Sequence, residues 1–266
     1  MDDGLRSRLW NVFTKRCINA ASDSQYLYYS GKIPFLNLCS ALWHDHFRRP
    51  VDEIPDAVVR KIEQIRHHFF SCDWYEVYDF VEFVANRPIY ISAERAMKEF
   101  NEVLADEMSA YRFVAGKLAP ISSEQEKSAI ERAVSQTSNS YSTTSEHLRQ
   151  AIDLLARKPT ADYRNSIKES ISAVEALCAI VTGDPSATLG HALKMIDAQT
   201  KLHGALRSAF EKLYGYTSDA NGIRHALMGE SNLEQEDAIF MLVACSAFVS
   251  YVIAKEARRN PAASLV

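Results

Sequence analysis

Apolar residues recur along this chain at the three-to-four-residue spacing of an α-helix, almost from end to end. Leu5, Leu9, Val12 and Phe13 predict a first helix, and Phe35, Leu38, Cys39, Leu42 and Trp43 a second that stops before Pro50. Val58, Ile62, Ile65 and Phe69 form a third stripe after Pro55. Trp74, Val77, Val81 and Val84 form a fourth, ended by Arg87-Pro88, and Met97, Phe100, Leu104 and Met108 a fifth. Then the period changes. Tyr111–Val114 and Lys117–Ile121 flank Ala115-Gly116, the pattern of a small β-hairpin. Ser123-x-x-Glu126 follows as a capping box that opens a helix. A boundary near Pro120 therefore divides the chain into 1–118 and 119–266.

The second part reads more regularly. A helix runs from about Ser123 to Thr137, and the polar stretch Gln136–Ser145 reads as a loop or a frayed helix end. Leu148, Ile152 and Leu155 mark the next helix. Pro159-Thr160 starts a long one, striped by Tyr163, Ile167, Ile171, Val174, Cys178 and Val181 and ended by Gly183. Short helices are expected near Leu189–Ile196 and Leu206–Tyr214. A loop, Gly215–Ile223, leads into Arg224-His225, and a final helix spans about Leu233 to Arg258. Four main helices in this length make a bundle. The fold class is all-α: a helical N-terminal region, a small β-hairpin at the junction and a C-terminal bundle.

Composition narrows this further. Only 9 of 266 residues are Gly, about half the usual share of roughly 7%, which disfavours turn-rich β folds. No Gly-rich phosphate loop, nucleophile elbow, zincin or kinase pattern occurs. The two parts each carry 15 Lys/Arg and 17 Asp/Glu, so neither has a bulk positive field for duplex nucleic acid, though a local basic cleft remains compatible with net charge −4. Five scattered cysteines without a Cys-x-x-Cys read as reduced thiols in a cytoplasmic protein. The start, MDDGLRSRLW, lacks an apolar signal core. Ala238–Ala254 is uncharged but short for a membrane span and acidic on its leading flank, so a buried core or dimer-interface helix is expected, and no membrane association. His44-Asp45-His46, His67-His68, Cys39 and Cys72 match no zinc spacing, and His44 and His46 would face opposite sides of a helix; no metal or cofactor is expected. Arg60-x(6)-His67 lies in the first part and reads as chance.

The constellation with chemical content is Tyr216-Thr-Ser-Asp219-Ala-Asn221-Gly222-Ile-Arg224-His225. Asp219 and Asn221 suit an Asx turn, and Gly222 permits positive φ. Arg carries a planar, always-charged fork that clamps phosphate oxygens, and His moves protons near neutral pH. Together they suffice for metal-free RNA cleavage, the base taking the 2′-hydroxyl proton and the Arg stabilising the phosphorane. An Asp219–Arg224 ion pair at a helix start is the plainer alternative.

Two resemblances sharpen the choice. Tyr163-Arg-Asn-Ser-Ile-Lys-Glu-Ser-Ile-Ser-Ala-Val-Glu-Ala-Leu177, Thr188-Leu-Gly190 and Ser218-Asp-Ala-Asn-Gly-Ile-Arg-His225 resemble a HEPN domain, a helical bundle of prokaryotic toxins and antiviral effectors. The whole chain is similar to abortive-infection proteins of the AbiJ N-terminal-domain type, through Leu5-Arg-Ser-Arg-Leu-Trp-Asn11, Tyr111-Arg-Phe-Val114, Pro120-Ile-Ser-Ser-Glu-Gln-Glu126 and the Gly222-Ile-Arg-His225 run. HEPN ribonucleases use Arg-x(4–6)-His in a dimer whose two motif copies line one cleft. Here Arg224 matches the Arg and His225 its polar neighbour, while Gly229, Glu230 and Ser231 stand where the His is expected. The resemblance thus implies Arg224, with His225 or Glu230 as base, for catalysis, and Asp219, Asn221, Arg164 and Lys168 for substrate. Arg164, Lys168 and Glu175 share one helix face. The expectation is an antiphage, metal-independent endoribonuclease, homodimeric through its C-terminal half and acting on RNA. The alternative is a catalytically inactive HEPN-like module for binding or dimerisation, acting as a sensor or with a partner protein of a defence system.

Overall fold

The computed structural model describes residues 1–19, 32–87, 92–184, 190–191, 194–195, 203–219 and 233–259. The chain divides into two compact units, Met1–Leu118 and Ala119–Val266. Among the described residues everything regular is helical except one two-stranded hairpin, so the protein is all-α.

In the first unit, α1 (Asp3–Phe13) starts where the Asp2 carboxylate accepts the Leu5 N–H at 2.7 Å, satisfying one of the open donors of a helix start. It continues into a π-helical turn, Thr14–Asn19. Next come α2 (Lys32–Ala41) with a second π-helical turn, Leu42–His46, then α3 (Val58–Ser71), α4 (Trp74–Ala85) and α5 (Ala93–Asp106). Pro34 sits in the first turn of α2, where a missing N–H costs nothing. The stripes read from sequence converge on a core of rings. Trp10 and Phe13 of α1, Phe69 of α3 and Phe80 of α4 pack with centroids 5.1–5.3 Å apart, tilted or edge-on as the ring quadrupoles favour. Arg6 reaches from α1 to donate to the carbonyls of Phe69 and Phe70, which the end of α3 leaves open. Arg16 and Glu99 pair between the π-helical turn and α5. One expectation fails at the edge. Met108 lies two residues beyond the end of α5, 90% exposed and at positive φ, so the apolar stripe stops before it. Lys61 is buried within the α3 stripe because its ammonium donates to the carbonyls of Pro55 and Asp56 just before the helix.

The hairpin pairs β1 (Arg112–Val114) with β2 (Lys117–Ala119). Both turn residues, Ala115 (φ 49°) and Gly116 (φ 92°), have positive φ, the geometry whose twist matches a two-residue hairpin.

The second unit is built on α6 (Glu124–Thr137), α7 (Ser142–Leu155), α8 (Tyr163–Thr182) and α10 (Gln235–Arg259), with α9 (Gly204–Asp219) joining them against α8. Ser123 caps α6 as its sequence requires, accepting the Glu126 N–H at 3.3 Å. Helix α7 runs antiparallel to α8 at close range. Small residues meet there, and the buried Ser166 hydroxyl donates to the Ala151 carbonyl at 2.8 Å. The stretch Gln136–Ser145 is mostly helix rather than loop. Buried Thr137 satisfies its hydroxyl on the Ala133 carbonyl, and only a short turn separates α6 from α7, so polar side chains did not signal loop here. The long helix begins at Tyr163 instead of Pro159, because Asp162 supplies the cap that accepts the Asn165 N–H. Gly183, at φ 71°, ends it in the left-handed turn that favours glycine.

Helix α10 is long and apolar enough to cross a membrane. In the bundle it buries Ala238, Met241, Leu242, Cys245, Phe248, Val249 and Val252 along one stripe against α6, α7 and α8, as a core helix does. Phe80→Ala, at the centre of the ring cluster, is expected to destabilise the protein by about 3–5 kcal/mol, read from urea denaturation. An unchanged midpoint would contradict the central place of that cluster.

Candidate functional site

Of the residues marked by sequence, Asn221, Arg224, His225 and Glu230 lie outside the described residues, as do half of the expected short helix at 189–196, whose described residues 190, 191, 194 and 195 are helical, and all of 220–223. Asp219 requires a correction. It is the last residue of α9, which continues through Gly215 to Asp219 where a loop was expected. A glycine inside a helix costs about 1 kcal/mol without ending it, and no side chain crowds Gly215.

Arg164 and Lys168 are placed by α8. The helix buries Ser166, Ile167, Ser170, Ile171, Ala173, Val174, Leu177 and Cys178. A 3.6-residue period then leaves Arg164, Asn165 and Lys168 on the outer arc. Arg164 lines an open cleft of about 440 Å³ with Arg157, Thr160, Ala161, Asp162, Tyr163 and Leu233. Lys168 is exposed one turn further along and is not part of the cleft wall. Arg157, just past the end of α7, is the residue the sequence reading missed. Its signal was present, since a cation beside a helix C-terminus is favoured by the dipole. The Asp162 carboxylate lies 3.8 Å from the Arg157 guanidinium and takes two shorter bonds from Asn165, at 3.1 Å from its N–H and 2.8 Å from its side-chain amide.

A second pair was also missed. His147 Nδ1 of α7 lies 2.6 Å from the Glu169 carboxylate of α8, with both side chains partly buried. This arrangement fixes the ring and leaves Nε2 for other work. The outer arc of α8 therefore carries, in order, a guanidinium, an ammonium and an imidazole–carboxylate pair.

The first unit has its own cleft, of about 420 Å³, between the π-helical turn, α4 and the hairpin. Its charges are matched internally. Arg87 lies 3.5 Å from the centroid of the Phe83 ring and pairs with Asp45 at 2.9 Å, and Lys117 faces Glu82 at 3.5 Å. Asn86 donates to the Gly116 carbonyl at 2.8 Å and Glu82 accepts the Leu118 N–H at 2.7 Å, so the cleft lashes α4 to the hairpin. His46 packs against Phe47, Phe80 and Phe83, with the His68 ring 6.1 Å away, whereas His44 is exposed; the two do face opposite ways. Burial, aided by His68 and Arg87, pushes the His46 pKa down to about 4. Among the described residues no cluster of three or more His, Cys, Asp or Glu is arranged to hold a metal. Cys17, Cys39, Cys178 and Cys245 are buried, which pushes each thiol up to about 12, and Cys72 is pushed up to about 11; none is primed as a nucleophile.

An all-α chain of two units, a ring-packed N-terminal one followed in sequence by a helical bundle, is the class of protein that these features define. The sequence family AbiJ N-terminal domain 4 matches residues 1–136, and the chain belongs to it. The match runs past the first unit to take in nearly all of α6. Membership associates the protein with abortive infection, a defence function. No curated protein and no solved structure matches the chain.

The buried histidines make stability pH-dependent. Unfolded, His46 and His68 bind protons near 6.5, and folded they do so only at lower pH, since burial lowers both. Between about 6.5 and 4 the unfolded state therefore holds more protons, and stability falls as pH falls. The melting temperature is expected to drop between pH 7 and pH 5, with a smaller drop in His46→Gln. Parallel melting curves for the two proteins across that range would refute the assignment.

Proposed function

We propose that this abortive-infection protein is an effector whose C-terminal unit is a HEPN-like bundle acting on RNA by metal-independent cleavage. One observation carries the reading. Arg164, which the HEPN resemblance marks for substrate, lines a cleft with Arg157, and Leu233, three residues after Glu230 in sequence, lines that same cleft. Arg224 is the phosphate clamp, and Asp219 and Asn221 are assigned to substrate binding with Arg164 and Lys168. His225 or Glu230 takes the proton from a ribose 2′-hydroxyl. That oxygen attacks phosphorus, the Arg224 guanidinium stabilises the charge on the phosphorane, and the 5′-oxygen leaves with a proton, giving a 2′,3′-cyclic phosphate. No cofactor is required.

A homodimer through the C-terminal unit belongs to the same proposal. The outward stripe of α10 runs Phe240, Ala247, Ala254 at heptad spacing, and Phe240 is 59% exposed. A second copy would cover it. The alternative, a HEPN-like module that binds RNA or a partner protein without turnover, is favoured by one feature: Gly229-Glu230-Ser231 in place of the expected His.

Purified protein is expected to cleave RNA in the presence of EDTA, with activity lost in both Arg224→Ala and Arg224→Lys, since a lysine lacks the bidentate fork. The general base is whichever of His225→Ala and Glu230→Gln loses about 100-fold or more. Cleavage that survives Arg224→Ala would overturn the clamp; RNA binding without any cleavage would establish the alternative. Light scattering is expected to give twice the 30.0 kDa chain mass, and a monomer at micromolar concentration would overturn the dimer.

A further inference from the structure

We infer that the surface of the first unit built from Phe47, Arg49, Arg66, His67, Trp10 and Phe70 binds single-stranded RNA through guanidinium groups backed by aromatic rings. The inference rests on the RNA reading above for its ligand and adds a surface that the bond-breaking residues do not use. The Arg66 guanidinium of α3 lies over two rings, its carbon 4.6 Å from the Phe70 centroid and 5.6 Å from that of Trp10. Arg49, just past the second π-helical turn, lies over Phe47 at 5.9 Å. Both arginines are exposed, and neither side chain makes a hydrogen bond or an ion pair. Arg87 is the contrast: it too lies over a ring, Phe83, but Asp45 already occupies it at 2.9 Å. A guanidinium ordered against a ring before any ligand arrives keeps its N–H edge for a phosphate and its outer face for a base.

The helix joins the two arginines into one surface. Residues 66, 67 and 68 step about 100° each around α3, so Arg66 and His68 look to opposite flanks and exposed His67 stands between them. On its flank the half-buried His68 ring meets Phe47 at 4.6 Å, the same ring that backs Arg49. Burial lowers the His68 pKa; Glu76 opposes the shift, and Arg49 and His67 reinforce it, so these groups stand within electrostatic reach of one another. The carboxylates nearby leave the arginines open. Glu76 accepts the Asp73 N–H at 2.9 Å in the capping box of α4, and Glu63, a turn before Arg66 on α3, pairs with neither Arg66 nor His67. The end of α3, whose open carbonyls would repel an anion, is closed by Arg6. The chemistry favours a single strand. The balanced charge of this unit disfavours a duplex, and only unpaired bases offer faces for stacking. A bilayer fits less well, because Trp10 is 5% exposed and Phe47 and Phe70 are partly covered, which leaves no ring to insert.

The test is equilibrium binding of a fluorescent, fully 2′-O-methylated single-stranded RNA to the full-length protein in EDTA, across a salt series. The methylated strand cannot be cleaved, so binding is read apart from turnover. Arg49→Gln and Arg66→Gln, checked for folding by thermal melt, are each expected to weaken binding on the order of fivefold, the lower end of what one stacked base is worth. Each should also make the salt slope shallower by about 0.7, the value of one phosphate contact on a single strand. Arg66→Lys should keep the slope and still lose affinity, since lysine keeps the charge without the plane. Lys98→Gln, an exposed cation of α5 that belongs to none of these contacts, is expected to leave binding unchanged. Unchanged affinity in Arg49→Gln and Arg66→Gln, or an equal loss in Lys98→Gln, would overturn the surface while leaving the ribonuclease reading intact. Losses as stated in a protein that never cleaves ordinary RNA would support the surface and overturn the ribonuclease reading. A wild type that binds no single-stranded RNA, that binds an RNA duplex as tightly, or that prefers vesicles of phosphatidylglycerol would overturn the surface as stated.

Discussion

A helix twenty residues long with one face buried has no freedom in what its other face presents. That constraint organises the second unit. Helix α8 commits Ser166, Ile167, Ser170, Ile171, Ala173, Val174, Leu177 and Cys178 to contacts with α7 and α10, and small residues at 151 and 166 bring α7 close enough for a direct hydroxyl-to-carbonyl bond. The polar arc then follows by geometry: Arg164, Asn165, Lys168 and Glu169 point away from the core at fixed intervals. The cap at Asp162 sets where the arc begins, and so which cation stands at the mouth of the cleft.

The two units contrast in how they treat charge. In the first, several cations are consumed internally: Arg6 on open carbonyls, Arg16 on Glu99, Arg87 on Asp45, Lys61 on the carbonyls that precede its own helix. In these places the polar groups are turned to structural use. In the second, Arg157 is only loosely matched and Lys168 is exposed. Charge left available to solvent is what an anionic partner can use.

Most of the helices were legible in the sequence, because each buries an unbroken 3.6-residue stripe; Phe35 to Trp43 and Leu148 to Leu155 are buried as the spacing requires. The hairpin was legible from Ala115-Gly116. The polar stretch Gln136–Ser145 misleads because composition is a poor guide where a local bond overrides it. Thr137 and Ser166 hide their hydroxyls on nearby carbonyls and so sit comfortably in a core, and Lys61 does the same with its ammonium. The candidate site was half legible. Arg164 could be marked by motif and helix face. Arg157 and the His147–Glu169 pair come together only through the antiparallel return of α8 along α7, a tertiary relation that spacing within either helix does not contain.

The burial of the cysteines has a practical consequence. Four of the five thiols are shielded by the packing and held overwhelmingly protonated at neutral pH, and the fifth is only partly accessible. A cysteine placed by mutagenesis on the outer arc of α8 would therefore react with a maleimide dye or spin label against a nearly silent background. The native chain is ready for distance measurements by fluorescence or electron spin resonance without first removing its own cysteines, whose small apolar bulk the core would otherwise have to do without.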